Sequence, residues 1–150
     1  MARLGWILFL VMSLITSGLV YKFIISGETE VAPDGRTTLL LEESERDFLL
    51  HEMRNFLIAV QQISEGIEKD DMKQIVSAAK KVGSGDLAHV PAGLMAKLPL
   101  AAKQMGLSTH KAFDQMAMDA EQLGDKEYTF SQLNQILPTC TACHSIYKVR

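Results

Sequence analysis

The sequence has few cysteines and no excess of positive charge, and each scarcity argues against a class of protein. Its 150 residues include 2 cysteines, whereas small secreted disulfide scaffolds carry about four or more, spread along the chain. Lysine and arginine number 15 against 18 aspartates and glutamates, a formal net charge of -3. Because binding to nucleic-acid phosphates needs a basic face, we expect no nucleic-acid partner.

Alternating runs of β-branched residues, internal repeats and low-complexity segments are also lacking, so no β-sheet is expected. Apolar residues recur instead at three- or four-residue steps from Glu42 onward. This spacing predicts amphipathic helices, and four of them in succession favour an antiparallel four-helix bundle. We therefore predict an all-α fold, preceded by a separate apolar helix at the N-terminus.

The N-terminal segment, residues 1–26, is read as a transmembrane anchor or a signal segment. Residues 4–25 are long enough to cross a bilayer, which takes about 20 mostly apolar residues. Thr16-Ser17-Gly18 offers a weak cleavage site, so removal as a signal peptide is the alternative. With Arg3 on the cytoplasmic side, the rest of the chain is exported. We predict a periplasmic domain tethered to the bacterial inner membrane by residues 4–25, or one released into the periplasm by cleavage.

The remainder divides into a linker, residues 27–41, and a helical domain, residues 42–150. Pro33-Asp34-Gly35 predicts a turn within the linker. Helix starts are expected where capping patterns or acidic residues precede an apolar stripe, and Pro138 is expected to kink or restart the last helix. The predicted helices begin near Ser44, Asp70, Ser108 and Thr129, and residues 84–106 are expected to be irregular, with a helical turn or two around Leu94 to Lys97.

Both cysteines lie in one short motif, Cys140-Thr141-Ala142-Cys143-His144. Cys-x-x-Cys-His is the attachment signature of c-type haem. Two thiols must reach the two vinyl groups of the porphyrin, and the next residue must place an imidazole on the iron. On a helix Cys140 and His144 are one turn apart on the same face. We therefore predict one covalent haem c, held by Cys140 and Cys143, with His144 as an axial ligand.

Three other interpretations of the cysteine pair are weaker. A zinc site needs about four ligands, and His51, His89 and His110 are scattered along the chain. A thioredoxin-like redox pair is expected beside a βαβ unit, which the helical pattern here does not provide. The third is a non-haem anchor or interaction module whose cysteines form a disulfide or bind a metal.

With its haem motif near the C-terminus of a four-helix pattern, the chain resembles the cytochrome c′ / cytochrome c-556 family. The tail 140–148 is similar, with an aromatic and then a basic residue after the motif histidine, and so is the first helix, with Glu-Met-Arg at 52–54. The resemblance covers about residues 42–150. It implies a haem inside the bundle, with His144 proximal and the first helix on the distal side. It also implies a homodimer formed through the first two helices.

The resemblance offers two alternatives for the second axial position. In c-556-like members a first-helix methionine ligates the iron, and Met53 lies on the apolar stripe of that helix. In c′-like members an apolar residue blocks this side and the iron stays five-coordinate, so that Phe56 and Leu57 would line a pocket for nitric oxide or carbon monoxide. A role as core filler is the plain alternative for Met53. We expect Met53 to be the ligand.

These expectations describe an electron carrier rather than an enzyme, since no substrate is transformed. His/Met ligation raises the reduction potential of a haem, and two filled axial positions let the iron exchange one electron with little rearrangement. The expected partners are redox proteins and, through the N-terminal helix, the membrane. Tyr147 is expected to pack beside the haem, and Lys148 to meet a haem propionate or, more simply, the negative end of the helix dipole.

Overall fold

The computed structural model describes residues 2–91 and 93–150. It is mainly helical and begins with an apolar helix, as the sequence predicts. The helices are α1 (Ala2–Val20), continued by a π-helical segment (Tyr21–Ser26), α2 (Glu43–Lys69), α3 (Met72–Lys81), a 3-10 segment (Ser84–His89), α4 (Leu94–Lys97), α5 (Leu100–Leu123) and α6 (Lys126–Ile146). The strands are β1 (Thr29–Val31), β2 (Thr37–Leu39) and β3 (Tyr147–Val149).

Helix α1 exposes apolar side chains all around its axis. Every side chain from Arg3 to Ile25 is exposed, Trp6 at 68% and Leu14 at 74% among them. A helix that is apolar on every side is normally buried in a large core or in a bilayer. The 24 residues from Arg3 to Ser26 are long and apolar enough to cross a membrane, a property that an export signal shares.

Four long helices enclose the main core. Helix α2 packs against α3 and α6, and α5 packs against the same two helices. The most deeply buried side chains come from the apolar stripes of the sequence, with Ile63, Ile75, Phe113 and Met116 no more than 1% exposed. Burial of side chains of this size contributes about 1.5–3 kcal/mol each. The stripes therefore hold these four helices together.

Helix α3 begins at Met72 after an Asp71 cap, close to the predicted start near Asp70. The other three starts differ from the prediction, because acidic residues and a proline upstream provide the caps. Helix α2 begins after Glu42, whose amide donates to Glu45 Oε2 at 2.9 Å, rather than at Ser44. The Asp125 carboxylate accepts from the Tyr128 amide at 3.0 Å, so α6 starts before Thr129.

Helix α5 begins directly after Pro99, eight residues before the predicted start at Ser108. Most residues between the two are good helix formers, and they outweigh the single Gly106. The helical turn at Leu94–Lys97 is confirmed, and α5 ends at Leu123 with Gly124 as its C-cap.

A small three-stranded sheet is present, so the expectation of no sheet is wrong. Strands β1 and β2 form an antiparallel hairpin around the predicted turn at residues 33–35, where Gly35 has a φ of 82°. Strand β3 runs parallel to β2, with Leu39 opposite Val149. Leu39 also joins Leu94 and Leu98 in a second apolar cluster. Residues 27–41, which were expected to be a linker, thus form a hairpin that pairs with strand β3 after α6.

Candidate functional site

An apolar cavity of about 480 Å³ opens between α2, α5 and α6. This volume falls within the range of about 300–1,000 Å³ that is typical of cofactor sites. Its lining residues are Leu50, Met53, Arg54, Phe56, Leu57 and Val60 from α2, Met105, Gly106 and Thr109 from α5, and Leu137, Thr139, Cys140, Cys143 and His144 from α6.

The α6 wall carries the whole reactive part of the motif. Because α6 is one continuous helix from Lys126 to Ile146, Cys140, Cys143 and His144 lie within little more than one turn and line the same cavity. Pro138 sits inside this helix without ending it, contrary to a restart before the motif. Both sulfurs are half-buried, whereas His144 is exposed. Two thiols and an imidazole therefore border one apolar space.

The surroundings of the two thiols favour their protonated form. No disulfide joins Cys140 and Cys143. Burial raises the pKa of Cys140, and burial together with the neighbouring Cys140 raises the pKa of Cys143. Redox-active and metal-bound cysteines instead have a lowered pKa, produced by nearby cations, helix N-termini or the metal. This environment is unlike that of a thioredoxin-type pair.

A site for a bare metal ion is not assembled in the described part of the chain. No group of three or more histidine, cysteine, aspartate and glutamate side chains comes together there to hold an ion. A structural zinc site takes about four such ligands. The zinc interpretation therefore lacks a ligand set among residues 2–91 and 93–150.

The α2 wall places Met53, Phe56 and Leu57 in the lining of the same cavity. Met53 is half-buried, and Leu57, which is 70% exposed, lies towards solvent. The Phe56 ring stacks on the Phe113 ring with their centroids 5.6 Å apart. Because Phe113 is a core residue, this contact ties the α2 wall to the main core.

Sequence reasoning missed two parts of the lining. Met105 and Gly106 belong to a stretch expected to be irregular, so no pattern placed them on α5. Met105 is a second thioether at the cavity, whereas Met116, on the same helix, is buried in the core. Arg54 is the one lysine, arginine, aspartate or glutamate among the described lining residues, and the only hint of it in the sequence was the Glu-Met-Arg run at 52–54.

Tyr147 and Lys148 are not part of the cavity lining. Helix α6 ends at Ile146, so Tyr147 lies on β3 instead of continuing the helical stripe, and it packs against the second apolar cluster. Burial, and then the nearby Cys143, raises the pKa of the Tyr147 hydroxyl. The Lys148 ammonium lies 3.6 Å from Asp34 Oδ2, a contact that the sequence did not suggest.

The β1–β2 turn approaches the end of the motif. Arg36 Nη1 lies 3.5 Å from the His144 carbonyl oxygen, at the negative end of α6. Arg36 also donates to the Asp34 carboxylate, which lowers the pKa of Asp34 to about 2. A charged turn therefore covers the helix end that carries the motif histidine.

Comparisons with family models, with curated proteins and with solved structures find no match for this chain. The resemblance to the cytochrome c′ / cytochrome c-556 family therefore stays a prediction. The functional information in the structure is the cavity and the side chains that line it.

Proposed function

We propose that this protein is a c-type cytochrome that transfers single electrons at the outer face of the cytoplasmic membrane. The observation that carries the proposal is that Met53, Cys140, Cys143 and His144 line one apolar cavity of cofactor size. The motif spacing alone accounts for three of these residues. The methionine comes from a different helix, and its presence there is independent support.

The residues of the cavity fit a covalently held haem. Cys140 and Cys143 would hold its vinyl groups through thioether bonds, and His144 would ligate the iron. His144 is exposed and lines the cavity, so its imidazole is accessible to an iron bound there. Arg54 offers a guanidinium for a haem carboxylate. When bound, the haem supplies a one-electron couple, whose potential depends on axial ligands and burial.

Met53 would supply the second ligand to the haem iron. Its thioether is a neutral ligand, and a His/Met pair raises the reduction potential. The side chains of Leu50, Phe56 and Val60 make this side of the cavity apolar. With both positions filled, electron exchange needs little movement of protein groups. No substrate is transformed, and the partners are other redox proteins.

The architecture proposed around this site is an antiparallel four-helix bundle made of α2, α3, α5 and α6. The mutual packing of these four helices around a single core supports it. We further propose that residues 4–25 anchor the domain in the inner membrane and leave it in the periplasm. The all-round apolar surface of α1 supports this location.

A five-coordinate gas-binding cytochrome is the second candidate, and one observation favours it. Phe56 and Leu57 line the cavity beside Met53, so the α2 wall can also act as an apolar distal pocket. In that case Met53 does not bind the iron, and nitric oxide or carbon monoxide occupies the vacant position.

Optical spectra of the full chain, produced with haem-maturation machinery, separate these candidates. We expect a covalent haem that is low-spin in both oxidation states and resists carbon monoxide. A high-spin spectrum with rapid carbon monoxide binding would favour the gas-binding candidate. A colourless protein with free thiols would contradict both.

A further inference from the structure

The end of the apolar helix is docked onto the domain, without a flexible linker between them. The Lys103 ammonium on α5 donates to the carbonyl oxygens of Phe23 and Ile24, at 3.0 and 3.3 Å. The last carbonyls of a helix have no partner within the helix, and a cation there is favoured by the helix dipole. Lys103 therefore caps the helix that precedes the domain.

Gly27 closes the junction on its other side. It is buried, and its φ of 66° is a conformation that favours glycine. A Cβ atom at this position would lie 2.7 Å from the Leu98 carbonyl carbon and 2.7 Å from the Pro99 nitrogen. The next amide, that of Glu28, donates to the Lys97 carbonyl oxygen at 2.7 Å. The chain thus passes directly from the apolar helix into contact with the loop before α5.

The length of the apolar helix brings this junction to the lipid headgroups. At a rise of 1.5 Å per residue, the 18 α-helical residues Arg3–Val20 extend about 27 Å, and the π-helical segment Tyr21–Ser26 carries the helix further. The hydrocarbon core of a bilayer is about 30 Å thick, and headgroups lie on either side of it. In a chain anchored by this helix, the carbonyls capped by Lys103 would therefore lie in the headgroup layer, together with the Lys103 ammonium.

One wall of the cavity lies close to this junction along α5. Met105 and Gly106 line the cavity and follow Lys103 by two and three residues, about 3 and 4.5 Å along the helix axis. We propose that the start of α5 is a lipid-facing surface, and that Lys103 and Gly27 hold the domain in one orientation with the Met105–Gly106 edge of the cavity at the phosphate headgroups. This proposal rests on the proposed function, since it requires α1 to be retained as an anchor.

Electron paramagnetic resonance of the ferric haem in oriented bilayers tests this orientation. With the full chain in stacked phosphatidylglycerol and phosphatidylethanolamine bilayers, we expect a signal that changes with the angle between the membrane and the field. Lys103→Gln and Gly27→Ala should lose that angular dependence. The controls Lys111→Gln, on the same helix, and Gly18→Ala, in α1 with no atom near its Cβ position, should keep it. A signal independent of angle in the unaltered chain would overturn the proposal.

Hydrogen exchange at the Glu28 amide gives a second measurement that needs no haem. We expect this amide to be protected in membranes and its exchange to quicken by about tenfold or more in Gly27→Ala, given the cost of a forced left-handed residue. Rapid exchange in the unaltered chain would contradict docking even if haem is present. Protection in a chain that carries no haem would leave docking intact and remove the electron-transfer proposal instead.

Discussion

Met53 on α2 and Cys143 on α6 line the same apolar cavity, although 90 positions separate them in the sequence. The motif residues Cys140, Cys143 and His144 could also lie at an exposed helix end with no other helix opposite them. Here the opposite wall exists, and it contributes a thioether. This relationship is what turns the motif into a candidate cofactor site with two possible axial ligands.

Replacement of Met53 by leucine removes the sulfur and nearly keeps the side-chain volume. We expect the haem to change from low-spin to high-spin and to bind carbon monoxide in the reduced state. Because such exchanges usually cost less than about 1.5 kcal/mol, the domain should stay folded. Optical spectra with and without carbon monoxide, together with a denaturation curve, measure both effects.

Met105→Leu is the matched control, because Met105 is the other thioether at this cavity. Its spectrum should match that of the unaltered chain. If Met105→Leu produces the high-spin form and Met53→Leu does not, the axial assignment moves from α2 to α5.

The pair Glu45–Lys97 should make stability fall in acid. Lys97 Nζ lies 2.8 Å from Glu45 Oε2, and this hydrogen bond lowers the pKa of the buried Glu45 carboxyl below its usual value of 4.5. The stabilisation is thus complete above about pH 4.5 and is lost as the pH falls through the lower pKa of the folded state. Unfolding midpoints measured from pH 6 to pH 3 should fall less steeply in Glu45→Gln.

The exposed Glu43, in the same turn of α2, provides the control for this pair. Glu43→Gln should leave the pH dependence of the midpoint unchanged. Parallel curves for the unaltered chain and Glu45→Gln would show that Lys97 does not hold this carboxylate in its charged form.

Phe113 should be a main determinant of stability, since it is 1% exposed and supports the α2 wall through Phe56. Phe113→Ala is expected to lower the free energy of unfolding by about 3–5 kcal/mol. Phe130→Ala, at a side chain that is 50% exposed, should change it by no more than about 0.5 kcal/mol. Denaturant titration of the full chain in detergent compares the two, and equal losses would mean that the core is packed differently.

Much of the helical core could be predicted, because its signal is local. The apolar stripes that contain Ile63, Ile75 and Phe113 repeat with the helical period. A short stretch of sequence is therefore enough to show which face of each helix is buried. The motif residues Cys140 and His144 share a helix face for the same reason. Residues can be placed on a common face from the sequence when they belong to the same helix.

The contacts that the sequence did not reveal are between distant segments. Strand β3 is three residues long and pairs with β2, more than 100 positions earlier, so neither strand has room for an alternating pattern. The sequence therefore gives no sign that α6 ends at Ile146 and that Tyr147 begins a strand. Met105 was missed because Pro99 and Gly106 suggested an irregular stretch, whereas Pro99 in fact precedes the first turn of α5.

The most direct test of the central claim is the intact mass of the denatured, acid-extracted chain after production with haem-maturation machinery. We predict the mass of the polypeptide plus one haem, and its loss in the double variant Cys140→Ala/Cys143→Ala but not in Thr141→Ala. A chain of bare polypeptide mass, with both thiols open to alkylation, would contradict the account.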